Sequence, residues 1–145
     1  MTVRLTGPAA GLPRPDRDLL RSRARAVLRL LGHARSELSI ALVNDTDIAD
    51  LNRRYRGRSR PTDVLAFSQL EGEHVQRRGV LLGDVVIGVE VATRQARSRH
   101  RALDDEVARL MIHGTLHLLG HDHVRDDEAR TMRVEERRLW REIRS

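Results

Sequence analysis

The sequence contains no cysteine, and this absence excludes two kinds of site. Disulfide bonds cannot form, and no thiolate can bind a metal ion. A disulfide-stabilised secreted scaffold is therefore excluded, and any metal site must use imidazole or carboxylate groups.

Other scarcities narrow the classes of function further. Aromatic residues make up 2% of the chain, namely Tyr55, Phe67 and Trp140, which disfavours base-stacking platforms of the kind found on RNA-binding sheets. No apolar run approaches the about 20 residues of a membrane span, and the N-terminus lacks the apolar stretch of a signal peptide. We expect a cytoplasmic protein with no membrane partner.

Lysine is also absent, so all 27 basic residues are arginine, and the formal net charge is +6. Arginine suits bidentate recognition of phosphate, although the complete replacement of lysine indicates a compositional bias. The charge by itself favours a polyanionic partner only weakly.

What the chain does have is a histidine-rich stretch, residues 113–123, which holds four of its seven histidines. His113 and His117 are four residues apart and would lie on one face of a helix. Gly120 allows that helix to end, because glycine adopts the left-handed conformation without a Cβ clash. After such a turn a third imidazole can approach the first two. The spacing predicts a metal site with three protein ligands and one open position.

Two histidines compete for the third place. On a straight helix His113 and His121 would be about 12 Å apart, too far to share one metal ion. The spacing His-x3-His-x2-Gly-x2-His matches the metzincin pattern with His123 as the third ligand, and His121 stays the alternative. Gly114 stands where zinc peptidases carry their glutamate base, which disfavours peptide hydrolysis.

The remaining pattern predicts one α+β domain over residues 1–145. We expect a small mixed sheet of about four strands covered by about five helices, with the metal site at the end of a central helix. Residues 1–15 are interpreted as an irregular or short extended N-terminal arm, and residues 69–79 as a mobile polar connection. Predicted strands are 37–43, 64–68 and 80–87, the last being central and buried; predicted helices are 16–32, 48–55, 90–100, 103–119 and 126–143.

Two polar features have open interpretations. Arg53 to Arg60 holds five arginines, which suit a solvated turn and a phosphate-contacting loop equally well. Asp84, within the apolar 80–87 strand, has either a structural role or a role in orienting the metal site.

Three motifs in order resemble the YbeY family of bacterial metal-dependent endoribonucleases of ribosomal RNA maturation. Residues 113–123 resemble its His-Gly-x-Leu-His-Leu-x-Gly-Tyr-Asp-His signature, and residues 51–67 and 82–87 resemble its other two motifs. The resemblance covers roughly residues 35–140. The sequence departs from the family at four positions: His121 replaces Tyr, Ala66 and Gly88 replace Ser, and Ser59 replaces Asp.

The resemblance implies one Zn²⁺ per chain, held by His113, His117 and His123, with Arg56 as the catalytic arginine facing it. It implies cleavage of single-stranded RNA in 16S 3′-end maturation and ribosome quality control, with ribosomal RNA, the ribosome and ribosomal proteins as partners. Asp122, beside the ligands, is a candidate to orient an imidazole.

Several alternatives remain open at this point. The nucleophile is water or the RNA 2′-hydroxyl, and no general base is evident. Another zinc hydrolase of the peptidase type, or a non-enzymatic ribosome-associated zinc protein, would use the same ligands. If both His121 and His123 bound the metal, the site would be closed and structural. The oligomeric state is not predicted.

Overall fold

The computed structural model describes residues 3–69, 81–121 and 125–144. These ranges contain, in chain order, β1 (Val3–Thr6), α1 (Arg17–Leu30), β2 (Glu37–Val43), α2 (Asp45–Arg56), β3 (Val64–Ser68), β4 (Leu81–Gly88), α3 (Val89–Ser98), α4 (Leu103–Leu118) and α5 (Asp126–Ile143). The predicted α+β domain with about four strands and about five helices is confirmed. None of the helices in the described ranges is long and apolar enough to cross a membrane.

The strands form one mixed sheet in the order β1-β2-β4-β3. Strands β1, β2 and β4 run parallel, whereas β3 runs antiparallel to β4. Strand β4 therefore has a partner on each side, and Leu82, Val85 and Ile87 are completely buried. A strand covered on both faces needs an almost continuous apolar sequence, and the prediction of a central buried strand is confirmed.

Residues 1–15 were expected to form an irregular or short extended arm, and the structure has the short extended form in β1. Val3 and Leu5 are buried in β1, which pairs in parallel with β2 through the partners Leu38 and Ile40. Only the part after β1 lacks a regular element. A four-residue edge strand gives only two apolar positions, too few for periodicity to separate it from a loop.

Two helices begin at the side-chain caps that their sequences indicate. The Asp16 side chain accepts a hydrogen bond from the Leu19 backbone N–H at 3.0 Å, and α1 follows. Asn44 does the same for the Asp47 N–H at 2.7 Å, and α2 follows. Each cap satisfies a backbone donor that the first helical turn leaves without an intrahelical acceptor.

Helix α4 is the central helix of the layer that covers the sheet. It contacts β3 and β4 on one side, and α1, α3 and α5 on the others. Met111, Ile112 and Leu116 are fully buried, so most of its circumference lies inside the core. A helix enclosed in this way has one defined orientation, and its half-buried histidines are held on one edge.

The predicted connection over residues 69–79 lies almost entirely outside the described residues. Its first residue, Gln69, extends the β3–β4 pairing by donating its backbone N–H to the Leu82 carbonyl at 2.9 Å. The mobility proposed for this segment stays a prediction.

Candidate active site

Gly114 allows α4 to pack directly on the sheet. A Cβ atom at this position would lie 2.7 Å from Val85 Cγ1, 3.1 Å from Val85 Cγ2 and 3.3 Å from Val64 Cγ2. Carbon atoms in contact are normally about 3.5–4.0 Å apart, so a side chain here would require the valines or the helix to shift. The glycine that replaces the glutamate of zinc peptidases is therefore required by the contact between α4 and the sheet.

His113 and His117 flank this glycine contact along α4. Their ring centroids are 4.8 Å apart, with an interplanar angle of 70°. Both side chains are partly buried and line a cleft with a volume of about 790 Å³. The predicted placement of these two imidazoles on one face of a helix is confirmed. Both rings line the same cleft, which two ligands of a single ion must do.

The helix ends as the glycine predicts. Leu119 is the C-cap residue of α4, and the next residue, Gly120, adopts a φ of +95°. The Gly120 N–H donates to the His117 carbonyl at 3.1 Å, and the His121 N–H donates to the Leu116 carbonyl at 3.0 Å. These two hydrogen bonds form a Schellman motif, which turns the chain back on itself after α4.

His121 does not join the other two histidines. Among the described residues, no three His, Cys, Asp or Glu side chains are arranged to hold a metal ion. His121 instead lines a separate pocket beside the start of α5, together with Asp127, Glu128 and Thr131. His123 and Asp122 lie outside the described residues, so the third ligand and the role of Asp122 stay predictions.

A carboxylate on α5 contacts the first histidine. His113 Nδ1 is 3.4 Å from Glu136 Oε1. A carboxylate only accepts hydrogen bonds, so in a neutral His113 ring Nδ1 would carry the proton and Nε2 the lone pair. Metal-binding imidazoles commonly have such an outer partner, so His113 and His117 fit as two of the ligands that a zinc ion would need. Sequence reasoning did not identify Glu136 in this role, because only tertiary packing brings α5 to α4.

Arg56 lines the same cleft as the two histidines. It is the last residue of α2, which ends where Gly57 adopts φ +70° and donates its N–H to the Arg53 carbonyl at 3.0 Å. The following loop is tied back by Asn52, a buried residue whose Nδ2 donates to the Arg60 carbonyl at 2.9 Å. The cap and the tie together hold the end of α2 beside the cleft.

The arginines of the 53–60 run are not equivalent. Arg53 and Arg54 both form ion pairs with Asp50, one turn earlier on α2. Arg56 forms no ion pair with any described residue, and of the five arginines it alone is among the residues lining the cleft. An exposed guanidinium without a carboxylate partner remains available to an anionic ligand.

Two of the three aromatic residues of the chain also line this cleft. Tyr55 and Phe67 are in edge-to-face contact, with ring centroids 4.8 Å apart and an interplanar angle of 60°. Tyr55 is 66% exposed, which is unusual for a large aromatic side chain and leaves an open ring surface. The low aromatic content of the sequence did not indicate this placement.

Two aspartates near the site have different positions. Asp63 lines the cleft, and its carboxylate accepts hydrogen bonds from the Val64 N–H at 2.8 Å and from Gln95 Nε2 at 3.2 Å. Asp84 lies on β4 opposite Phe67 and is not among the cleft-lining residues. The structural interpretation of Asp84 is thereby favoured over a role in orienting the metal site.

Comparisons with known proteins find a family model, several relatives and a solved structure to which this chain is similar. A family model described as endoribonuclease YbeY matches residues 16–144. The endoribonuclease YbeY of Anaeromyxobacter sp. (strain Fw109-5) is 46% identical over 141 residues, which cover 97% of this chain and 71% of that protein. The protein of the same name from Pelotomaculum thermopropionicum is 44% identical over 81% of this chain and 80% of its own length. The solution structure of TM1509 from Thermotoga maritima superimposes with a TM-score of 0.67 at 25% identity, covering 98% of this chain and 89% of that one.

Proposed function

Because the chain belongs to the YbeY family and is an endoribonuclease, we propose that it cleaves single-stranded ribosomal RNA in a zinc-dependent reaction. The proposed role is 16S 3′-end maturation and ribosome quality control in the cytoplasm, with the ribosome and ribosomal proteins as partners. One observation carries the catalytic part of this proposal. Arg56, from α2, lines the same cleft as His113 and His117, from α4.

The chain supplies the two kinds of group that phosphodiester cleavage requires. His113, His117 and His123 would hold the zinc ion, and Glu136 would orient the His113 ring through Nδ1. When bound, zinc acts as a Lewis acid and activates water near neutral pH. Arg56 would donate two hydrogen bonds to the phosphoryl oxygens as negative charge develops on them.

A peptidase of the zincin type is disfavoured. Such enzymes place a glutamate directly after the first histidine, and that position here is Gly114, where a Cβ would lie 2.7 Å from Val85 Cγ1. A closed structural zinc site is also disfavoured, because a fourth ligand would come from His121 and that residue lines another pocket.

The test compares RNA cleavage by the parent protein, His117→Ala, Arg56→Ala and Arg58→Ala. Arg58 is the matched control, since it is exposed in the same arginine run and is not among the cleft-lining residues. We expect chelator and His117→Ala to abolish cleavage, and Arg56→Ala to lower kcat about 10²- to 10³-fold, the usual loss of a transition-state donor. Arg58→Ala should stay within a few-fold of the parent. Cleavage that survives both chelator and His117→Ala would remove the metal from the mechanism.

The termini of the RNA products identify the nucleophile. A 2′,3′-cyclic phosphate end means that the RNA 2′-hydroxyl attacks, whereas direct attack by water leaves no cyclic end. Substrates with a single 2′-deoxy nucleotide at the cut site give a second measurement. Such a substrate resists cleavage if the 2′-oxygen attacks, and is cut at a similar rate if water attacks.

A further inference from the structure

A second pocket adjoins the active-site cleft. Its volume is about 340 Å³, and it lies against α4 and α5. We call it the arginine pocket after the residues that define it: Arg99, Arg101, Arg109, Arg133, Arg137 and Trp140. It shares two lining residues with the cleft, Asp63 and His113, and Glu136 completes the common wall by contacting His113. A ligand in the cleft therefore has the arginine pocket as its direct neighbour.

Part of the positive charge of this pocket is neutralised internally. Glu106 is completely buried and receives Arg99 Nη1 at 2.8 Å and Arg101 Nη1 at 2.9 Å. These three residues join the end of α3 to the start of α4. A buried carboxylate requires such partners, so Arg99 and Arg101 have a structural function that explains their presence.

The other three arginines lack such a carboxylate partner among the described residues, although Arg109 packs against the Trp140 ring, 4.6 Å from its centroid. Arg109, Arg133 and Arg137 form no ion pair with any described residue. Arg133 and Arg137 are exposed on α5, and Arg109 is partly buried on α4. The pocket lining holds five arginines and three carboxylates, Asp63, Glu106 and Glu136, so positive charge is in excess there.

The pKa of the Arg109 guanidinium is lowered. Burial is the largest cause and the positive charge of Arg101 lowers the pKa further, whereas Glu106 and Asp105 partly oppose the shift. Its Nε atom is buried without a hydrogen-bond partner among the described residues. An anion in the pocket would compensate both deficits, since it would supply negative charge and acceptor atoms.

We propose that the arginine pocket binds a backbone phosphate of the RNA strand, next to the phosphate that is cleaved. The proposal rests on the proposed function, because the wall shared through His113 makes the pocket continuous with the cleft. A phosphate fits better than a base. The guanidinium groups of Arg109 and Arg23 lie 4.6 Å and 5.3 Å from the centroid of the Trp140 ring, so they already occupy the surface on which a base would stack. The planar guanidinium groups of the pocket match the geometry of phosphate oxygens.

Trp140 provides a direct reporter, because it is the only tryptophan in the chain. A short single-stranded oligoribonucleotide is titrated in the presence of chelator, and Trp140 emission is recorded beside the anisotropy of a label on the RNA. The variants are Arg137→Gln in the pocket and Arg29→Gln as the control. Arg29 is an exposed arginine in the last turn of α1 and is not among the pocket-lining residues.

We expect a saturable change in Trp140 emission at the concentration where the RNA binds. Arg137→Gln should weaken binding about tenfold at low salt, in line with one hydrogen bond to a charged group. It should also reduce the slope of log K against log salt by about 0.7, the value for one phosphate contact on single-stranded nucleic acid. Arg29→Gln should change neither quantity.

Three results would overturn the proposal: RNA that binds without changing Trp140 emission, a response that Arg137→Gln leaves unchanged, or an equal response to poly-aspartate. The last would identify a site for acidic peptides. Failure of the proposed function is distinguishable from these results, because cleavage is measured separately. If cleavage is absent but Trp140 responds and depends on Arg137, the pocket is an RNA phosphate site without the proposed catalysis.

Discussion

Adding one methyl group at Gly114 tests whether α4 is in direct contact with the sheet. In Gly114→Ala the new Cβ would lie 2.7 Å and 3.1 Å from the two γ-carbons of Val85, and 3.3 Å from Val64 Cγ2. All three separations are shorter than the about 3.5–4.0 Å of carbon atoms in contact. Either the helix moves away from the sheet, or the two valines are displaced.

The expected magnitude is a difference between two opposing effects. Replacing glycine by alanine inside a helix stabilises a protein by about 1 kcal/mol. Overpacking a core costs about 1–3 kcal/mol, and Val85 is fully buried on the central strand, where it has little room to move. The difference is a loss of about 0–2 kcal/mol, and because Val85 has little room to move we expect the upper half of that range, about 1–2 kcal/mol.

Urea denaturation of the metal-free protein measures this change, and the chelator removes any contribution from bound metal. Val85→Ala serves as the partner variant. By itself it deletes two buried methyl groups and should cost about 2–3 kcal/mol, including the cavity. In the double variant the new methyl occupies part of that cavity. The total loss should then be smaller than the sum of the single losses by about 1 kcal/mol or more.

Two results would refute this reasoning. Gly114→Ala could raise stability by about 1 kcal/mol, which is the value expected from helix propensity alone. The double variant could instead be additive, which would mean that Gly114 and Val85 do not compete for space. If the reasoning holds, Gly114→Glu disrupts the packing of α4 and does not yield a peptidase.

Three further predictions concern single side chains. Glu136→Ala removes the partner of His113 and should weaken zinc binding about 10- to 100-fold. A competition titration with a chelating dye measures this affinity, and an unchanged value would contradict the role of Glu136 in orienting the His113 ring. Tyr55→Leu should raise KM for RNA about 5- to 100-fold with little change in kcat, because a stacked base contributes about 1–3 kcal/mol. Tyr55→Phe keeps the ring and should match the parent. The pKa of Glu135 is lowered mainly by its hydrogen bond to Arg138, so the pair stabilises the fold above the unfolded pKa and loses that effect as pH falls through the folded pKa. Glu135→Gln should accordingly be less stable than the parent near neutral pH, and denaturation curves should show this difference vanishing in acid.

The aromatic residues show how composition misleads about placement. A content of 2% aromatic residues is a poor basis for expecting a stacking surface. Yet Tyr55 and Phe67 lie 4.8 Å apart at the cleft, because the end of α2 meets β3 there. Composition averages over the whole chain, whereas a binding surface depends on where a few side chains converge.

Local geometry explains what could be predicted well. The helical repeat places His113 and His117 on one face, and the left-handed preference of Gly120 ends the helix, whatever the rest of the chain does. The apolar run of β4 is a direct requirement of burial on both faces. The two-residue apolar pattern of β1 was too short to be recognised, although its pairing with β2 is clear in the fold.

The sequence by itself determined that His113 and His117 share a helix face, where α4 ends and which strand is central, because these features depend on local spacing and residue type. It also determined the family, because the motifs depend on residue identity and order. Only the tertiary structure decided that Arg56 lines the same cleft as those histidines and that Glu136 contacts His113. It also decided that a Cβ at Gly114 would collide with Val85. It also grouped arginines from α4 and α5 around Trp140. The physical reason is that these contacts join residues far apart in the chain, and their geometry is set by the packing of α4 between the sheet and its neighbouring helices.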